Sequence, residues 1–149
     1  MKNEKTLNYK DVMYGDIVAI EDFNIDKDTY DLVRSIVPCK VVGFTDGNTI
    51  LEYENSDKEP TLTVMQDFMP FEITKGFLEK NGFEPIEENV YELSFGDEIK
   101  LTIILGNDTT TPFAGLVKPN CSIGVYEKCP LHVVQHILNG CGLEMEWIL

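Results

Sequence analysis

Apolar residues along this chain fall into short runs that predict brief strands and two helices. The run Ile17-Val-Ala-Ile20, introduced by Gly15-Asp16, predicts the first strand. Residues 40–44 and 49–53 are β-rich and flank Asp46-Gly47-Asn48, a strong hairpin signal because Asp-Gly readily adopts φ > 0. Residues 62–65 predict a further strand after a polar loop at 55–60. Between the first strand and the hairpin the chain turns acidic, with Asp22, Asn24, Asp26, Asp28 and Asp31 close together. A solvated loop is expected there, followed by a short helical turn over residues 30–34 that Pro38 ends. Residues 1–12 are polar and expected to dock loosely.

The pattern changes after Phe71. Thr74 is placed to cap a helix carrying Phe77 and Leu78, with Asn81-Gly82 as its stop and Phe83 packing back. Residues 90–95 and 98–105 flank Gly96-Asp97 as a second hairpin, residues 107–112 form a polar turn, and residues 122–126 another strand. A helix is expected over residues 130–140, and residues 143–148 alternate like a half-buried final strand. The expected class is α+β. Residues 1–68 would form a small β-barrel-like (SH3-like) lobe, and residues 69–149 an α+β lobe with two helices packed on an antiparallel sheet. Pro70 marks the joint.

Composition narrows the function classes. The 26 acidic against 12 basic side chains give a net charge of −14, spread over both halves. Such a surface repels phosphate backbones and anionic lipid, so direct nucleic-acid and membrane partners are not expected. No apolar run reaches bilayer length and the first residues lack a signal-peptide pattern, which points to a cytoplasmic protein. Four cysteines are sparse for 149 residues and are expected as reduced thiols.

Candidate chemistry centres on Cys129, His132, His136 and Cys141, spaced C-x2-H-x3-H-x4-C. On a helical wheel at about 100° per residue, Leu131, Val133, Val134, Ile137, Leu138 and Cys141 share the apolar half. His132, Gln135, His136 and Asn139 share the other half. The histidines lie one turn apart, as ligands would, yet Cys141 points nearly opposite His132 and no second zinc knuckle exists. No metal and no cofactor is therefore expected. His132, Gln135 and His136 are expected as a solvated polar face available for binding. A thiolate pair of Cys129 or Cys121 with His132 or His136 is the weaker, catalytic alternative. Asp22-x-Asn24-x-Asp26 opens like a calcium loop, but Lys27 and Val33 stand where glycine and glutamate are required. Trp147 is expected in the core.

Three segments together resemble a family of small uncharacterised proteins common in gut anaerobes, often near prophages and other mobile elements. They are Gly15-Asp16-Ile-Val with Val41-Val-Gly-Phe44, residues 69–83, and Leu131-His-Val-Val-Gln-His-Ile-Leu with Cys141-Gly-Leu-Glu. The resemblance implies a barrel-like N-terminal lobe, an α+β C-terminal lobe, and His132 and Gln135 as recurring polar helix positions. It implies no activity. The expected function is a non-catalytic accessory or regulatory role through contacts with a protein partner, linked to a mobile element. The alternatives are an acidic DNA-mimic decoy, or a metal- or thiol-dependent enzyme using Cys129, His132 and His136.

Overall fold

The computed structural model describes residues 6–54, 59–107, 109–119 and 121–149. The polar loop expected at 55–60 and the first five residues lie wholly or partly outside that set, as does one residue of the turn at 107–112. The chain forms two compact units, Met1–Phe71 and Glu72–Leu149.

In the first unit, β1 (Ile17–Ile25), β2 (Leu32–Thr45), β3 (Asn48–Tyr53) and β4 (Thr61–Met65) run as an antiparallel meander. Strand β5 (Met69–Pro70) then pairs with β1, giving the order β4-β3-β2-β1-β5. This pairing carries the unit past residue 68. The β2–β3 turn has φ of 46° at Asp46 and 78° at Gly47, the two positive values that a two-residue type I′ hairpin demands. One sheet face packs Val18, Ile20, Cys39, Val41 and Leu51 against Leu7, Val12 and Phe68. Leu7 exchanges two backbone hydrogen bonds with Phe68, of 2.8 and 3.0 Å, so this stretch is pinned to the sheet, with Leu7 and Val12 in the core, rather than loosely docked. Buried Asp16 accepts the Met13 N–H at 2.8 Å through Oδ2, while its carbonyl accepts the Val41 N–H at 2.8 Å.

One expectation for this unit fails. The helical turn over residues 30–34 is strand from Leu32 on, in unbroken register with β1 from Ile25↔Leu32 to Ile17↔Lys40. Its β-branched and apolar side chains fit a pleated ribbon, and the acidic stretch supplies the far half of β1 and the turn. Strands β4 and β5 are the two ends of the sheet order and do not pair with each other among the described residues. Pro38 ends no element. It lies where β2 pairs only with β1, an edge setting in which strands tolerate proline.

The second unit begins with α1 (Lys75–Lys80), capped as expected by Thr74, whose Oγ1 accepts the Phe77 N–H at 3.2 Å. Strands β6 (Glu84–Glu87), β7 (Val90–Ser94), β8 (Lys100–Ile104), β9 (Phe113–Lys118) and β10 (Cys121–Val125) form a sequential antiparallel sheet. Helix α2 (Leu131–Gly140) follows and lies against β9. Both helices end in the paired bonds of a Schellman motif, Phe83 N–H to Leu78 O at 3.0 Å and Leu143 N–H to Leu138 O at 2.9 Å.

The α+β class is therefore corrected: the fold is mostly β, with 45% strand, 12% helix and two antiparallel sheets. Of the two helices one is only a short piece, so two helices do not pack on a sheet. Two strands escape a periodicity reading for physical reasons. Strand β9 is central, and Ala114, Gly115 and Leu116 are all buried, so no polar alternation marks it. Gly115 faces Gly124 across β9 and β10, and the Phe113 ring lies over both, where a Cβ on either would collide with it. Strand β6 is an exposed edge that carries Pro85 and a register shift.

The third difference is the end of the chain. Residues 143–148 do alternate in burial, half-buried at Leu143, Met145 and Trp147, but form no strand. A side chain takes the place of a neighbouring strand. Asn81 Oδ1 accepts the Ile148 N–H at 2.7 Å, and Nδ2 donates to Ile148 O and Phe77 O, both at 2.9 Å. Trp147 stacks on Phe77 and Phe83, with ring centroids 5.7 and 6.3 Å apart, and Lys80 Nζ donates to Leu149 O at 2.7 Å. Asn81→Ala is expected to destabilise the second unit by about 2–4 kcal/mol, since it removes three bonds around a buried amide. The sole tryptophan reports the loss directly: its emission should shift to the red, and an unshifted spectrum with unchanged Tm would refute the clamp.

Candidate functional site

The histidine cassette lies on α2 as expected, but its faces differ from the wheel. His132 is only 5% exposed, buried with Leu131, Val134, Ile137 and Leu138, while Gln135 and His136 are half-buried. A solvated ridge is therefore the wrong description of His132. The wheel treats a helix as an isolated rod, whereas burial depends on what packs around it, which an angle alone does not predict. The two imidazoles meet edge to face, with centroids 5.8 Å apart. Cys141, expected as a small core residue or a helix-end thiol, is the half-buried C-cap residue, and its carbonyl accepts from Lys118 Nζ at 3.3 Å. The cation at that end complements the helix dipole.

Among the described residues no three His, Cys, Asp or Glu side chains gather closely enough to hold a metal. Cys129 stands ahead of α2, and its Sγ donates to Glu127 O at 3.4 Å. Burial, and then the Glu127 charge, push its thiol pKa up, which works against a nucleophilic thiolate. All four cysteines are free. In the acidic stretch, Asp26 Oδ1 accepts the Asp28 N–H at 2.8 Å and so organises the turn.

The arrangement that stands out is the distal half of the β1–β2 ribbon. Two backbone bonds fix its phase: Asp26 N–H to Asp31 O at 2.9 Å, and Val41 N–H to Asp16 O at 2.8 Å. Hydrogen-bonded and non-bonded pairs alternate in an antiparallel ribbon, so Phe23↔Arg34 and Ile25↔Leu32 are non-bonded pairs with adjoining side chains. They share a face with Glu21 and Ile36, opposite the face on which Val18, Ile20 and Cys39 enter the core. On that outer face Phe23 is 52% exposed, Ile25 65%, Leu32 68% and Ile36 64%. Arg34 reaches diagonally to Glu21 in an ion pair. Tyr30, with φ of 57°, stands at the tip and is 83% exposed. Four large apolar side chains thus share one exposed face, and exposed apolar patches are in general candidates for interaction sites.

No protein-family model, no curated protein and no solved structure matches the chain. The arm could have been found in the sequence through the positions 23, 25, 32 and 36, which are apolar at even spacing on either side of the turn. Reading the acids as a loop hides that alternation.

The buried thiol gives a test of the first unit. Cys39 donates to Val37 O at 3.7 Å, and burial, then the Asp22 charge, push its pKa from 9.0 to about 12. Between those values the unfolded chain has released a proton that the folded chain keeps, so stability falls as pH rises from about 9 towards 12. Thermal melts across this range should show that decline, and Cys39→Ala should flatten it while lowering stability throughout. A slope identical in the variant would exclude Cys39 as its source.

Proposed function

We propose that the protein is a non-catalytic accessory or regulatory factor that acts by binding a partner protein through the β1–β2 arm. A mobile-element setting, implied by the sequence resemblance, belongs to the same proposal. The observation that carries it is the outer face of the arm, where Phe23, Ile25, Leu32 and Ile36 form one solvent-facing patch beyond the core. Clustered aromatic and aliphatic anchors of this kind dominate the binding energy of protein interfaces. Acids around the turn make the rim polar. The apolar character of this face favours a protein surface over the DNA-mimic reading, which calls for a continuous line of carboxylates. The raised thiol of Cys129 weighs against the thiol-enzyme reading.

Photo-crosslinking in the native host tests the assignment. A benzoylphenylalanine at Phe23 should trap one discrete protein, and the same group at the exposed Tyr126 should not. Leu32→Asp with Ile36→Asp, which changes only exposed positions, should abolish the adduct without shifting Tm by more than a few degrees. Equal crosslinking from both positions would remove the arm from consideration.

A further inference from the structure

The phase of the β1–β2 ribbon has a second consequence, at the outer edge of β2. The residues of β2 that share parity with Asp31 and Val41 turn their backbone groups to β1, so Leu32, Arg34, Ile36 and Pro38 turn theirs away from it. Strand β3 pairs with β2 only from Lys40 onward, and among the described residues no other strand pairs with Leu32 to Cys39. Leu32, Arg34 and Ile36 therefore present three N–H and three C=O groups in strand geometry along an open edge. Pro38 lacks the donor and closes that row at the base of the arm.

The two faces beside this edge differ in chemistry. The outer face holds Leu32 and Ile36, backed across the ribbon by Ile25 and Phe23. On the opposite face β2 itself carries Val33 and Ser35, with Asp31 just before the strand and Asp22 across the ribbon on β1, and the turn adds Asp26 and Asp28. Residues 21–36 hold five acids against two bases, and one of those bases, Arg34, is tied to Glu21. A strand laid on this edge would meet Leu32 and Ile36 with the paired Arg34 between them on one face, and on the other Val33 and Ser35 within the negative field of the neighbouring acids.

We propose that the partner contributes an extended segment that adds as a strand to the outer edge of β2 at Leu32–Ile36, with apolar and basic residues alternating along it. This rests on the reading of the arm as the interaction element and names its partner's chemistry. Main-chain bonds supply affinity in such strand addition, and the alternate side chains supply selectivity. A second copy of this chain is the disfavoured occupant, because it would set one acidic arm against another within a protein of net charge −14.

The test uses the full chain and three synthetic octapeptides, with amide exchange followed residue by residue. An alternating Lys/Val peptide should slow exchange at Leu32, Arg34 and Ile36 at least tenfold, with the effect falling as salt is raised. A Glu/Val peptide, and a Lys/Val peptide N-methylated at alternate residues to remove its ladder donors, should leave these amides unprotected. Ile36→Pro should weaken binding of the Lys/Val peptide at least tenfold, because it deletes an outward N–H while sparing the bonds to β1. Arg34 N-methylated by semisynthesis gives the same readout should that proline disturb the ribbon. Equal protection by the acidic or donor-blocked peptide, or protection of the same amides by self-association without peptide, overturns the inference. If the Lys/Val peptide fails while crosslinking at Phe23 still traps one protein, strand addition falls and the arm reading stands; loss of both removes the reading itself.

Discussion

In an antiparallel ribbon each strand turns half of its backbone groups towards its neighbour and half away, and the side chains alternate in step. The register of β1 on β2 therefore sets almost everything in the first unit. At the base it sends Val18, Ile20, Cys39 and Val41 into the core, where their burial fixes the pairing, because a one-residue slip would bring the opposite face inward. Carried unbroken to the far end, the same register leaves Phe23, Ile25, Leu32 and Ile36 facing solvent. The exposure of the arm follows from a pairing the core has already fixed.

The same demand for paired backbone groups explains the end of the second unit. Residues 143–148 alternate in burial, as a strand would, yet the sheet order ends at β10 on one side and β6 on the other. Asn81 substitutes for a strand, since its amide offers a donor and an acceptor spaced like those of a peptide group. It reaches that position because the Asn81-Gly82 stop of α1 turns the chain back and buries the residue. The stop of a helix and the anchor of the terminal segment are thus one residue with two structural duties.

Much of the fold is legible in the sequence wherever local chemistry decides. Asp46-Gly47 dictates its hairpin, Thr74 caps α1, and the apolar spacing from Leu131 to Leu138 gives α2 its bounds. Legibility fails where a neighbour decides. Ala114–Leu116 are buried in succession and so lack a period, and the β-branched residues from Leu32 onward show themselves as strand only once β1 is seen to pair with them. Class fails for the same reason: each strand missed at β6 or β9 and each helical turn assigned near Tyr30 shifts the balance from mostly β to α+β. The site suffers most. His132 is assigned to solvent by an angle that ignores its tertiary surroundings, and the arm is concealed because acids at its turn suggest a loop.

Acidity and the apolar patch are better understood together than apart. An exposed strand edge flanked by large apolar side chains is a liability, since identical edges on other molecules can pair with it. Charge is one of the devices that protects such edges, and like charges set directly opposite destabilise a strand pair. The acids at Asp22, Asp26, Asp28 and Asp31 therefore need no calcium and no mimicry to account for them. On the proposed reading they let the outer face stay apolar enough to bind while making every other copy of the chain a poor match. Specificity here is a difference between partners, and the repulsive element matters to it as much as the attractive one.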